Sequence, residues 1–199
     1  VELGTFFDAK NRKAVRDILE ANHLNGTTFV TPYVKENKLS LSDLNEDGRQ
    51  KAIALVKEHA GYAAETGYTN FGVPSGDDPG AEKREEAKKV LADSMVELAD
   101  YLKGLGLNLT IEPLDRYAYK KQLIGPMEET TQWFAPIHEA CPNAYIHWDS
   151  AHEALGKTNL DDSITWASPY IAQFHLCNAI LDTEHPCFGD LHMDVGTAP

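Results

Sequence analysis

AYIHWDSAH, residues 144–152, runs from apolar and aromatic residues into Asp149 and places His152 three positions further on. Its first six residues read as a β-strand, and a short helical region follows His152. An apolar strand has no packing reason to finish in a carboxylate, so its end draws attention to chemistry. The same form lies on either side. LNLTIEP (107–113) is a strand that finishes at Glu112, and IAQFHLC (171–177) is a strand with His175 near its end.

Further out, strand and helix patterns alternate. VELGTFF (1–7) reads as a strand, and KNRKAVRDILEANHL (10–24) as a helix with Val15, Ile18 and Leu19 on one face. TTFVTPY (27–33) reads as a second strand and VKENKLSLSDLN (34–45) as a polar loop. A long helix is expected over about 47–66, with Ile53, Val56, Ala60 and Ala63 in register and Gly67 as its stop. YTNFGVP (68–74) is a third strand and SGDDPG (75–80) is turn chemistry. An amphipathic helix over about 81–105 and another over about 127–140 complete the pattern. Six strands alternating with helices imply an α/β fold with parallel strands and crossover helices, either a closed barrel or an open doubly wound sheet. No GxGxxG follows the first strand, which disfavours a dinucleotide fold. No composition break marks a second domain, so residues 1–199 read as one domain.

Composition narrows the function. The net charge of −13, with 18 scattered basic residues, argues against a nucleic-acid partner. No apolar run approaches the ~18 residues of a membrane span, and no signal segment opens the chain. The start at Val1 reads as a trimmed N-terminus. Three cysteines without a CxxC pair (Cys141, Cys177, Cys187) fit reduced thiols and a cytoplasmic location.

Each polar strand-end residue has a plain structural alternative. Glu112 reads as a solvated strand end, Asp149 as a helix N-cap, His152 as a surface helix residue and His175 as a satisfied core histidine. The joint occurrence on three successive strands favours a site, because working residues of barrel enzymes come from the C-terminal ends of several strands. A carboxylate-rich set with one imidazole suits Mn²⁺, Mg²⁺ or Co²⁺, with Zn²⁺ also compatible.

Four segments, TIEPLDRY (110–117), HWDSAH (147–152), QFHLCNA (173–179) and EHPCFGDLHMDVG (184–196), resemble the xylose-isomerase-like TIM-barrel superfamily of sugar isomerases and epimerases. VEL near the start and GVPSG (72–76) resemble its second and fourth strands. The resemblance implies a (β/α)8 TIM-barrel-like fold that is incomplete here. About six βα units are present, the first and last strands are missing, and the chain reads as a fragment of that domain. It implies Glu112, Asp149 and His175 as metal ligands, Mn²⁺ first, with Glu112 also the acid/base. It implies substrate contacts from His152, Arg116, Asn178, Asp190 and His192, with a structural salt bridge as the plain reading of Arg116. The implied reaction is isomerisation or epimerisation of a sugar or sugar phosphate by proton transfer beside a carbonyl, through an enediolate. Two alternatives stand beside it: a non-catalytic or incomplete sugar-binding fragment, and a phosphodiesterase like the endonuclease-IV branch. Open sheet edges also invite homo-oligomerisation.

Overall fold

A computed structural model describes residues 1–193, with side chains described through residue 191. The elements run α1 (Ala9–Ala21), β1 (Gly26–Phe29), α2 (Thr31–Glu36), α3 (Glu46–Thr66), β2 (Tyr68–Val73), α4 (Arg84–Gly104) and β3 (Asn108–Ile111). There follow α5 (Met127–Ala140), β4 (Ala144–Asp149), α6 (Ser150–Leu155), α7 (Leu160–Ala167), β5 (Ile171–His175), β6 (Asn178–Ile180) and β7 (Gly189–Met193). Strands β1 to β5 form one parallel sheet in sequential order. Local chemistry sets the boundaries. The Asn45 side chain accepts from Gly48 N at 3.2 Å, Glu46 and Asp47 occupy the first turn of α3, and Gly67 ends that helix at φ 79.

The two faces of the sheet differ in polarity. One face buries Phe71, Val73, Leu109, Ile111, Ala144, Ile146 and Trp148 against helix residues such as Val56, Leu91, Leu98 and Phe134, and this layer is the core. The other carries Asn70, Asn108, His147, Gln173 and His175, with Asn108 donating to Asn70 across the strands at 3.0 Å. That polar face is the inside of a curve. Phe29 in β1 and His147 in β4 have ring centroids 5.0 Å apart. Three strand spacings would hold them about 14 Å apart in a flat sheet. Glu2, beside β1, reaches Gln173 and His175 of β5 at 3.2 and 2.8 Å. The sheet is therefore a curled, five-stranded half-barrel, an incomplete TIM barrel. Gly72 makes the curl possible, since a Cβ there would lie 2.2 Å from the Phe29 ring.

Several expectations need correction. Residues 1–7 form no regular strand: they give one bridge, Glu2 to Thr27, so five parallel strands replace the expected six. Their later carbonyls are taken by side chains instead of a ladder. Tyr68 donates to Gly4 O at 2.9 Å, and Arg12 donates to Phe6 O and Phe7 O. The second strand ends at Phe29, and Pro32 starts α2 because its fixed φ suits a first helical turn. Helix α6 begins at Ser150, not after His152. Residues after Cys177, expected as loop, form the antiparallel hairpin β6–β7, with Gly189 at φ 112. Phe174 and Leu176 on the outer side of β5 are 52% and 71% exposed, and no helix among the described residues covers them. No described helix is long and apolar enough to cross a membrane. The three cysteines are free, with Cys141 buried, Cys177 half-buried and Cys187 exposed.

Helix α6 buries an acid that the sheet does not use. Glu153 is 3% exposed, and its Oε2 has no hydrogen-bond partner among the described residues. Burial pushes its pKa up to about 7, against weaker pulls downward from Ser163 and Thr158. The folded state therefore holds this proton more tightly than the unfolded chain. Glu153 leaves stability intact below about pH 4.5, and that stability is lost as pH rises through about 7, by at most about 3 kcal/mol. Urea denaturation followed across pH is expected to show Glu153→Gln gaining on wild type over that interval. Parallel pH profiles would refute a buried, proton-holding Glu153. For the curl, Gly72→Ala is expected to cost about 1–3 kcal/mol by overpacking against Phe29. An unchanged denaturation midpoint would show that the Phe29 ring is not wedged there.

Candidate active site and metal centre

Three strand ends and one opposing edge meet at His175. Glu112 directly follows β3, Asp149 ends β4 and His175 ends β5, with Asp149 and His175 in direct register. His175 Nδ1 lies 3.4 Å from Asp149 Oδ2 and 3.6 Å from Glu112 Oε1, and its Nε2 donates to Glu2 Oε2 at 2.8 Å. Burial opposes a charge on this ring, but the three carboxylates outweigh it and raise its pKa to about 11. Burial likewise works against charge on Asp149. Hydrogen bonding to His175, the His152 charge, the Ala151 amide and the Cys177 thiol nonetheless bring it down to about 2. Asp149 also caps α6, accepting from Ala151 N at 2.7 Å, so the capping role anticipated for it and its place in the cluster coexist. The Cys177 thiol lies 3.3 and 3.4 Å from the two Asp149 oxygens, and burial pushes its own pKa up to about 12.

A second cluster adjoins the first. His152 on α6 is 3% exposed. Its Nδ1 stands 3.3 Å from Asp115 Oδ2 and its Nε2 stands 3.5 Å from Asp190 Oδ2. Asp115 is fixed from its other side, where Oδ1 accepts from the amides of Tyr119 and Lys120. Asp190, buried in β7, also lies 3.5 Å from Lys120 Nζ. Burial disfavours charge on His152, but its carboxylate neighbours raise its pKa, and Asp115 is lowered against its own burial by His152 and those amides.

The other expected residues divide. Asn178 opens β6 beside Cys177 and is half-buried. His192 lies in β7, with its side chain outside the described residues, as is the 194–196 end of the EHPCFGDLHMDVG segment. Arg116 turns away from the cluster. It is 5% exposed and donates to Glu129 at 2.6 and 3.0 Å and to Leu123 O at 2.7 Å, pinning the loop after β3 to α5. Sequence reasoning passed over Glu2, Asp115 and His147. His147 carried a readable signal, since it precedes Asp149 by two and must share its face. Asp115 stood unremarked inside the PLDR run, and Glu2 becomes legible only once the sheet curls.

The donor set suits a divalent cation. Atoms of Glu112, Asp149 and His152, and separately of Glu112, His147 and His175, lie within 4.8 Å of one another. Five carboxylates (Glu2, Glu112, Asp115, Asp149, Asp190) face three basic groups (Lys120, His152, His175), so acids outnumber bases in the cluster. A cavity of about 550 Å³ opens on the polar side of the sheet beneath His175, lined by Glu2, Thr27, Asn70, Asn108 and Gln173 among others.

The chain is similar to a D-tagatose 3-epimerase-like protein, at 15% identity over 99% of this chain and 72% of that one, with TM-score 0.77. It is similar to the D-psicose 3-epimerase of Clostridium cellulolyticum H10 in complex with D-tagatose, at 16% identity over 88% of this chain and 62% of that one, TM-score 0.75. A third likeness is to an IOLI protein with a bound zinc atom, at 16% identity over 88% and 61% of the two chains, TM-score 0.67. These likenesses are of fold, and the chain spans less than two thirds of the length of the D-psicose 3-epimerase. No curated protein sequence matches. The sequence profile of the xylose isomerase-like TIM barrel family matches residues 3–198, and the chain belongs to that family.

Proposed function

We propose that residues 1–199 are the larger part of a metal-dependent isomerase or epimerase domain acting on a sugar or sugar phosphate by proton transfer beside a carbonyl. One observation carries this reading: Glu112 and Asp149 lie 3.6 and 3.4 Å from the same His175 nitrogen, at adjacent strand ends and in a cluster where carboxylates outnumber basic groups. Glu112, Asp149 and His175 would hold the divalent ion, with Mn²⁺ favoured by a carboxylate-rich set. When bound, such an ion supplies Lewis acidity to neighbouring sugar oxygens.

The chain's own residues do the rest. Glu112 stands 3.6 Å from its nearest ionic neighbour, beyond hydrogen-bond length, so its carboxylate is open to take a proton from the carbon beside the carbonyl. Return of that proton to the neighbouring carbon, with the hydroxyl proton passing between the two oxygens, gives the isomer, and delivery of a proton by a second acid on the opposite face gives the epimer. His152 is anchored by Asp115 through Nδ1. Its Nε2 is at the 3.5 Å limit from Asp190, so this is the N–H that turns to a sugar oxygen. Glu2 offers a second carboxylate from the facing edge of the sheet.

Incubation of the protein with Mn²⁺ and a panel of ketoses in D₂O is expected to place deuterium at the carbon beside the carbonyl, read by NMR. Glu112→Gln is expected to lower the exchange rate by about 10²–10⁴-fold. Failure of the metal-loaded wild type to exchange any ketose, with metal binding verified by calorimetry, would remove the isomerase/epimerase reading.

A further inference from the structure

His147 was not among the expected ligands, yet it sits where a ligand belongs. It lies two residues before Asp149 on the same face of β4 and is fully buried. Its ring stands across from that of His175, with centroids 3.8 Å apart and planes at 79°. One donor atom each from His147, His175 and Glu112 falls within a 4.8 Å span. These three come from three adjacent strands, so the frame that holds them is the sheet itself and not a loop. Phe29 closes the opposite side, with its ring 5.0 Å from His147 and 6.2 Å from His175. Gly72 leaves the space that lets Phe29 do so. An imidazole pair shielded by an aromatic ring is a poor place for a hydrated Mg²⁺ and a good one for a borderline transition metal.

We propose that His147 is a further ligand to the ion held by Glu112, Asp149 and His175, giving the centre two imidazoles and two carboxylates. This rests on the metal-dependent reading above and deepens it, because it narrows the class of cation. A second imidazole shifts the preference from Mg²⁺ and Mn²⁺ toward Zn²⁺, Co²⁺ or Fe²⁺. Asp149 also caps α6, which fixes its carboxylate beside His175.

X-ray absorption of the Zn²⁺-loaded wild type counts imidazoles directly and needs no variant. Two are expected, and a single one overturns the assignment while leaving the metal-dependent reading in place. Wild type that takes up neither Zn²⁺ nor Co²⁺ in titration overturns both. The variants say which histidines are counted. His147→Gln is expected to fall to one imidazole and to lose Zn²⁺ affinity by more than the roughly 10–100-fold typical of an outer partner. His152→Gln is expected to keep two. The reverse pattern assigns the second imidazole to His152 and overturns the proposal. Far-UV circular dichroism verifies that each variant is folded. Should His147→Gln not fold, loss of an imidazole in His152→Gln overturns the proposal and retention of both supports it.

Discussion

The imidazole of His175 stands 2.8 Å from Glu2 on one edge of the sheet and 3.4 and 3.6 Å from Asp149 and Glu112 on the two strands beside it. One cationic ring thus ties the first described segment of the chain to the last strand of the parallel sheet. Beside it stand the Gln173–Glu2 hydrogen bond and the packing of Phe29 against His147 and His175, since no strand ladder joins the two edges among the described residues. The charge on the ring and the curl of the sheet are therefore coupled. The carboxylates raise the imidazole pKa to about 11, and the protonated ring draws those carboxylates, set on separate strands and an opposite edge, to one point; a divalent ion held by His175 would displace that proton and draw the same carboxylates.

Burying charge in this way is costly, and the structure meets the cost by separating duties across the sheet. Asp149 has no side-chain exposure, and an unpaired carboxylate there would be strongly destabilising. It is satisfied by two amides at the start of α6, the Cys177 thiol and His175. Net stability then has to come from elsewhere, and the outer face supplies it. Phe71, Leu109, Ile111, Ile146 and Trp148 lie at or near zero exposure against the helices. Even there the polar exception is paired, with Trp148 Nε1 donating to Ser163 at 2.8 Å. β5 is where this division stops, since Phe174 on it and Leu176 just after it stand exposed, with no helix among the described residues over them.

Much of this was legible in the sequence, for a physical reason: strands and helices with strong periodicity announce themselves. α5 and β4 fall where their patterns place them, and α3 starts and stops at its cap and its glycine. The clustering of Glu112, Asp149 and His175 followed from strand-end position alone. What stayed hidden depended on contacts distant along the chain. The 1–7 segment has a strand-like composition, but its carbonyls are claimed by Tyr68 and Arg12, which no local pattern can signal. Thr31 and Pro32 look extended beside Phe29, although proline equally suits a helix start. The hairpin that carries Asp190 on β7 left no strand pattern, because its partner β6 has only three residues and Gly189, at positive φ, opens β7. Arg116 shares a run with Glu112, and only the fold reveals that Glu129 has captured it.

The two histidines of the expected site end up in unlike positions, and so do the acids around them. His152 is gripped through Nδ1 by Asp115, from the loop after β3, and approached at Nε2 by Asp190, from the hairpin after β5. Asp115 is itself fixed by two backbone amides, so Nδ1 is held while Nε2 has only the longer approach of Asp190. A ring held between two carboxylates, with its pKa raised despite burial, favours the donor form and is a poor base. Asp149 is equally unsuited, being committed to amides and thiol at a pKa of about 2. Glu112 differs from both. It is 17% exposed, it follows its strand instead of capping a helix, and its approach to His175 is too long to be a hydrogen bond. Of the three acids around His175, it alone combines a place at the end of a sheet strand with access to solvent, since Asp149 is enclosed and Glu2 lies on the facing edge.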